Sequence, residues 1–385
     1  MPVETVTPAV GTATLEITVS KAELLRELTA TQGVVERKTT IPILSNYLFE
    51  AAGDKLSLTA TDLDLSLRTA CNAKVKKEGS CTIPARKLYD YVKLLPDADI
   101  TIKLLENHWV SIRCGRSNTK MVGMARSNFP SLPAFPTAGV VKIPAQVLRS
   151  LIAKTGFAIA NEESRYTLNG ALMILKPESI TMVATDGHRL AHIERSGEKF
   201  EGVSGELKTL VPKKAMDELK SLLDSTNVDA IEFAKDESTL FFRIGPRLLT
   251  SRQLTGQFPN FEAVLPKDNN KSITVSGEEL NSAIQRVAQF ADERSRAVRL
   301  RVEKNELKLS ASSTETGESE DSIETTYDGE TLTIGFNAQY ILEFLKAVGA
   351  GAVKLELKDS QSAGQLRPAE SEDYKYRYIV MPMRI

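Results

Sequence analysis

Three stretches of the chain share one pattern: a few alternating apolar and polar positions, then apolar residues at helical spacing. They are ITVSKAELLRELTAT from Ile17, VKIPAQVLRSLIAKT from Val141 and ITVSGEELNSAIQRV from Ile273. The alternation predicts a strand and the later spacing a helix. Ser20 with Glu23, and Ser276 with Glu279, fit a capping box, while Pro144 stands near the helix start of the middle copy, where a missing N–H is tolerated. The predicted apolar faces are Leu24, Leu25 and Leu28; Val147, Leu148, Leu151 and Ile152; and Leu280, Ile284 and Val287.

Each copy is followed by further strands, KLSLTATDLDLSL from Lys55, SITMVATDGHRLAHI from Ser179 and ELKLSASSTETGE from Glu306. A second strand-and-helix pattern then appears, TIPARKLYDYVKLL from Thr82, LVPKKAMDELKSLL from Leu210 and IGFNAQYILEFLKAV from Ile334. A closing pair of strands ends each repeat. The repeats lie a domain length apart, too far for a solenoid. Proline-punctuated joints, FPSLPAFP from Phe129 and FPNFEAVLPK from Phe258, separate them. The reading is an α+β chain of three similar domains, 15–138, 139–268 and 269–385, each with two helices and antiparallel sheets. Residues 1–14, rich in Thr, Val and Pro, read as a disordered tail.

Composition narrows the function. Hydrophobic residues make up 42% and charged residues 26% of the 385, the balance of a soluble globular protein. No apolar run reaches the ~18–20 residues that span a bilayer, and the N-terminus lacks the pattern of a secretory signal, so a cytoplasmic location without membrane contact is expected. Three cysteines without CxxC spacing read as free thiols, and three histidines are too scattered for a metal site. No metal or cofactor is expected.

Net charge is −1, which on its own argues against a nucleic-acid partner. The distribution changes that. Every predicted helix carries or adjoins a cation, among them Lys21, Arg26, Arg86, Lys87, Lys93, Arg149, Lys154, Lys213, Lys214, Lys220, Arg286 and Lys346. Residues 315–324 hold five acids and no cation. A neutral chain can therefore own a basic face and an acidic one. Asp186 and His188 flank a glycine and raise the alternative of a hydrolase. No nucleophile elbow, phosphate loop or dinucleotide fingerprint accompanies them, so an enzyme is not expected. A β-rich scaffold that binds peptides and never DNA is the other alternative.

The motifs TIPILSN from Thr40, IPARKL from Ile83, RYTLNG from Arg165, ATDGHRLA from Ala184, FPNFEAVLPK from Phe258 and YIVMPMRI from Tyr378 carry a resemblance. In this order and at these separations, the chain after about residue 15 resembles the bacterial DNA polymerase III beta subunit, the sliding clamp family. The resemblance implies a DNA-clamp fold and a head-to-tail homodimer whose ring encircles duplex DNA without regard to sequence. It implies a processivity factor for DNA replication, bound in turn by the replicative polymerase, the clamp loader and repair or translesion polymerases.

By motif matching, the DNA-facing positions are Lys38, Arg86, Arg165 and Tyr166, with Arg37, Lys213 and Lys214 as weaker additions. The resemblance also implies a partner-peptide groove built from Leu168, Thr185, Gly187, His188, Arg189, Leu190, Pro259 and Val264. The tail adds Val380, Met381, Pro382, Met383 and Arg384, with Asn337 and Tyr340 at the rim. Three positions depart from the commoner family pattern: Thr119 near the expected subunit edge, Thr167 after the expected DNA-contacting tyrosine, and Ala263 by the groove.

Overall fold

The structure, a computed structural model, describes residues 14–36, 39–162, 166–370 and 373–384. Six α-helices are present among them: α1 (Lys21–Ala30), α2 (Ala85–Leu94), α3 (Ala145–Thr155), α4 (Lys213–Ser225), α5 (Gly277–Val287) and α6 (Ala338–Val348). Ser20 and Ser276 cap α1 and α5 by accepting the Glu23 and Glu279 N–H groups. The predicted apolar faces are buried with one exception. In α1, Leu25 is half-buried and Glu27 is buried instead.

A second capping device recurs. The first N–H of α1 donates to Ala98 O, that of α3 to Asp229 O and that of α5 to Gly351 O. Each acceptor immediately precedes the strand that pairs with the strand feeding the helix. The first N–H groups of α4 and α6 go likewise to Asn169 O and Arg296 O, each just before another strand. These N–H groups have no partner inside the helix, so the same tertiary bond satisfies them in all three repeats.

The described chain divides into two compact units. One runs to Gln146 and includes Asp217–Gln253; the other holds Val147–Met216 and Leu254 onward. The middle repeat is shared between them because two sheets run through the repeat joints. In the first unit, strand Arg247–Arg252 pairs antiparallel with strand Leu65–Asn72, joining strands of two repeats into an eight-stranded sheet. In the second unit, strand Lys375–Val380 pairs with strand Arg189–Ser196 and makes another eight-stranded sheet. Between Val122 and Val141, and between Arg252 and Lys271, the only helical turns are Arg126–Asn128 and Phe261–Ala263.

Each unit also holds a smaller sheet. A five-stranded sheet in the first unit ends on strand Ser117–Val122, and a four-stranded sheet in the second ends on strand Gly317–Glu324. Among the described residues, each of these strands has a strand neighbour on one side only. The cores lie between sheets and helices. In the second unit, Phe344 of α6 stacks on Tyr376 and Tyr378 at 5.6 and 5.2 Å. Full burial of such rings stabilises by ~1.5–3 kcal/mol each before ordering costs.

A buried ion pair crosses the joint inside the first unit. Glu27 of α1 accepts from Arg247 Nε at 3.0 Å, with Thr69 Oγ1 and Arg26 Nε as further donors. Burial by itself would raise the Glu27 pKa, but the hydrogen bonds from Arg247, Thr69 and Arg26 more than offset it and hold the carboxyl below its ordinary value. The three cysteines are buried and free.

Candidate functional site

The segment Thr185–Arg189 links two strands of the second unit through a turn that side chains lock. Gly187, at φ +89°, occupies a left-handed conformation that glycine adopts without strain. Its N–H donates to Thr185 Oγ1, and that hydroxyl donates to Arg189 O at 2.6 Å. Asp186 Oδ1 accepts the His188 and Arg189 N–H groups at 2.9 and 3.0 Å, while Oδ2 accepts Arg189 Nε at 3.0 Å. Both carboxylate oxygens of Asp186 are engaged in building the turn. His188 is exposed, and its carbonyl accepts the Met381 N–H at 2.9 Å.

The turn drives Arg189 inward. Its guanidinium is bound by Glu343 of α6, donates to Phe157 O at 2.6 Å and lies 4.4 Å from the Tyr340 ring centroid. Burial works against this charge; Tyr378 and Glu343 offset it and hold the pKa above the ordinary arginine value. Arg189 is therefore a fixed cation and part of a wall.

Beside this wall is an apolar cavity of about 140 Å³, lined by Leu168, Thr185, Gly187, Arg189, Leu190, Pro259, Phe261, Val264, Ile379 and Met381. Two of these, Leu190 and Ile379, belong to an apolar cluster on one face of the sheet, with Leu172, Ile174, Val183, Leu210 and Phe258. Val264 and Met381 stay 44% exposed at the cavity mouth, so it is open to a ligand. The lining is apolar with a few fixed polar groups, the usual make-up of a recognition pocket.

Eight expected groove residues thus line the cavity, and two further ones, Phe261 and Ile379, were not anticipated. Val380 does not line it: strand alternation turns its side chain to the opposite face, fully buried, and aims Ile379 at the cavity instead. The rest of the expected set is bonded nearby. Asn337 caps α6 by accepting the Gln339 N–H, the Tyr340 carbonyl accepts from the Tyr378 hydroxyl, and the Met383 N–H donates to Gly335 O. Pro382 is half-buried and Arg384 exposed; neither, like His188, lines the cavity. Ala263 belongs to the short turn Phe261–Ala263 beside it.

The expected DNA-facing residues divide differently. Arg37, Lys38 and Arg165 lie outside the described residues, as do residues 1–13 of the expected tail. Arg86 is exposed in the first turn of α2, 3.9 Å from Asp90. Tyr166 is 54% exposed. Asn169 ties it to α4, donating its N–H to Tyr166 O and accepting that of Lys213. The Lys213 ammonium is bound by Asn161 Oδ1, and Lys214 is exposed one position on. Thr167 packs over Gly256, leaving no room there for a Cβ. Thr119 lies on the open strand Ser117–Val122.

Among the described residues no group of three or more potential ligands could hold a metal, and no helix is long and apolar enough to cross a membrane. Comparison with known proteins gives a uniform result. The N-terminal, central and C-terminal domains of the DNA polymerase III beta subunit match residues 15–133, 142–260 and 262–384. The beta sliding clamp of Caulobacter vibrioides is 34% identical over 377 residues, covering 96% of this chain and all of that one. The solved sliding clamp of Pseudomonas aeruginosa bound to griselimycin has a TM-score of 0.90 at 34% identity, covering 97% of this chain and all of that one. A solved Caulobacter crescentus beta sliding clamp with bound polyethylene glycol gives the same TM-score, identity and coverage. A chain matched along nearly its whole length, in the same domain order and the same fold, belongs to the DNA polymerase III beta subunit, or beta sliding clamp, family.

Proposed function

We propose that this chain is a non-catalytic processivity clamp, made of three clamp domains (15–138, 139–268 and 269–385), that closes head to tail with a second copy around duplex DNA in the cytoplasm. The observation that carries the reading is a joint repeated in register. From the helix-capping carbonyls of Asp229 and Gly351, five residues on lead to Ala234 and Glu356; these lie opposite Phe241 and Gln365, which lie opposite Thr250 and Ile379. Thr250 then pairs with Ser66, and Ile379 with Leu190. Ser66 and Leu190 are themselves equivalent, since they face Thr61 and Thr185 at the same turn.

The same steps from Ala98 lead through Lys103 and Ser111 to Lys120, and the residue matching Ser66 and Leu190 in the third repeat is Glu318. Lys120 and Glu318 lie on the two one-sided edge strands. Their pairing between two copies would set opposite charges face to face, which favours the contact. Repeated use of one joint closes a ring when the rotation permits.

Enclosure makes tight DNA binding unnecessary. Arg86, Lys213, Lys214 and Tyr166, with Arg37, Lys38 and Arg165, supply weak phosphate contacts that are sequence-independent and screened by salt. The cavity beside Arg189 takes leucine- or phenylalanine-anchored segments of the replicative polymerase, clamp loader and repair or translesion polymerases. Griselimycin and polyethylene glycol in the two solved relatives accord with a ligand-accepting surface.

The test is loading onto nicked circular DNA followed by linearisation. The protein should stay on circles and leave cut ends. Lys120→Glu should lose retention, and Lys120→Glu with Glu318→Lys should regain it. Retention that survives linearisation without end blocks, or no retention with a loader present, would overturn the clamp reading; a double variant no better than the single would overturn the register.

A further inference from the structure

One buried titratable group stands against the cavity wall without lining the cavity. His192 lies two residues beyond Leu190 on the same strand and therefore on the same face. Its relative exposure is 9%, and among the described residues its Nδ1 has no hydrogen-bond partner. Its ring packs against Phe261, with centroids 5.6 Å apart and planes inclined by 33°. Phe261 is the aromatic wall of the cavity.

The charged groups around His192 come from three elements. Glu194 is on its own strand, Glu262 adjoins Phe261, and Arg377 is its register partner on the neighbouring strand. On the other side it faces Val183, flanked by the uncharged Thr181 and Thr185. Arg377 donates to Gln365 Oε1 and Pro266 O, both uncharged acceptors. A proton on His192 would thus place a second cation beside Arg377, in a site that water barely reaches.

We propose that His192 positions Phe261 over the cavity, and holds it there only while the imidazole is uncharged. The inference rests on the peptide-groove reading and adds a condition to it. A charged imidazole needs water, which Phe261 excludes; hydrating it requires Phe261 to leave its seat, and the wall goes with it. His192 is a positioning residue, acting on a ligand through Phe261.

Burial lowers the proton affinity of the imidazole below its ordinary 6.5; Glu194 and Glu262 counter this and Arg377 adds to it. The sign follows. The folded value lies below that of the unfolded chain, so the neutral shelf contributes fully above pH 6.5 and is lost as pH falls through the folded value.

The experiment measures binding of an end-capped peptide that carries leucine and phenylalanine and no titratable side chain, to the full chain at pH 7.5 and 5.5. Wild-type affinity should fall severalfold from pH 7.5 to 5.5, because binding at the lower pH requires the imidazole to give up its proton. His192→Val should bind at pH 7.5 and show a flat profile, and His192→Gln, which keeps polarity without a titration, should be flat too. Imidazole chemical shifts of His192 should move over the same pH range as the affinity. Parallel profiles for wild type and both variants, with binding intact at pH 7.5, would overturn this inference and leave the groove standing. No binding at pH 7.5 would remove both.

Discussion

The two intrachain joints are built on one backbone plan and differ in side chains. The second joint carries an apolar sheet face of Leu172, Ile174, Val183, Leu190, Leu210 and Ile379, of which Leu190 and Ile379 reach the cavity. The matching positions at the first joint, followed through the strand registers, are Leu48, Glu50, Thr59, Ser66, Thr82 and Thr250. Only the first of these is apolar. Thr82 exchanges hydrogen bonds with Met124 O and N, and Glu50 accepts from Arg126 at 3.3 Å, so the polar set ties the linker onto the sheet. Phe129 of that linker is buried against Ile43, Leu44 and Leu48. One joint is thus closed by hydrogen bonds, and the other has an apolar face beside an open mouth. The backbone plan is common to both joints, and the cavity at one of them comes from the side chains placed on it.

Disrupting the latch of the first joint should have the largest effect. Arg247→Ala leaves Glu27, 1% exposed, without its principal partner, and urea unfolding should show a loss of ~3–5 kcal/mol, the cost of orphaning a buried charge. A loss below ~1 kcal/mol would mean that Thr69 and Arg26 suffice to hold the carboxylate. The native pair stabilises above the ordinary carboxyl pKa of 4.5, and its contribution is lost as pH falls through the lower folded value.

An intermediate effect comes from giving the second joint a side chain of the first. Leu190→Ser should destabilise by ~2–5 kcal/mol, the range for truncating a buried leucine side chain. It should also weaken peptide binding at least about tenfold, since 1.4 kcal/mol of lost contact already does so. Unchanged peptide affinity in calorimetry would show that the cavity lining is not where partners are read.

The smallest effect tests the turns. Leu63 occupies the place of Gly187, with the same Thr and Asp hydrogen bonds, at φ +85°. It is half exposed. Leu63→Gly should lie within ~1 kcal/mol of wild type on the stabilising side, because relief of the left-handed strain outweighs the added chain entropy. Clear destabilisation on thermal melting would reveal a contact made by the leucine side chain.

Much of the fold was legible because it is local. Six helices, the caps at Ser20 and Ser276, and the paired strands follow from periodicity and short-range chemistry. The sheets that cross the joints were not, since the pairing of Arg247–Arg252 with Leu65–Asn72 joins residues nearly two hundred positions apart. Glu27 reads as a solvent-facing helix residue until the distant Arg247 supplies its partner. In the site, ATDGHRL and the C-terminal strand were legible as motifs. The motif points to Val380, whereas Ile379 is the residue that lines the cavity, because one step along a strand reverses the face, and Phe261 gives no local sign that the chain folds back to make it a wall.

The acidic strand Gly317–Glu324 has a consequence for assembly. A bare strand edge is a template for any other, and proteins that leave one open risk indiscriminate aggregation. Two copies meeting through this strand would bring Glu318, Glu320, Asp321 and Glu324 against their own kind, with Arg286 already engaged by Asp321. Like charges thus bar the self-match and leave the lysine-bearing strand Ser117–Val122 as the compatible edge. On the clamp reading proposed above, the same carboxylates that favour the lysine-bearing neighbour would keep newly made copies from pairing at random.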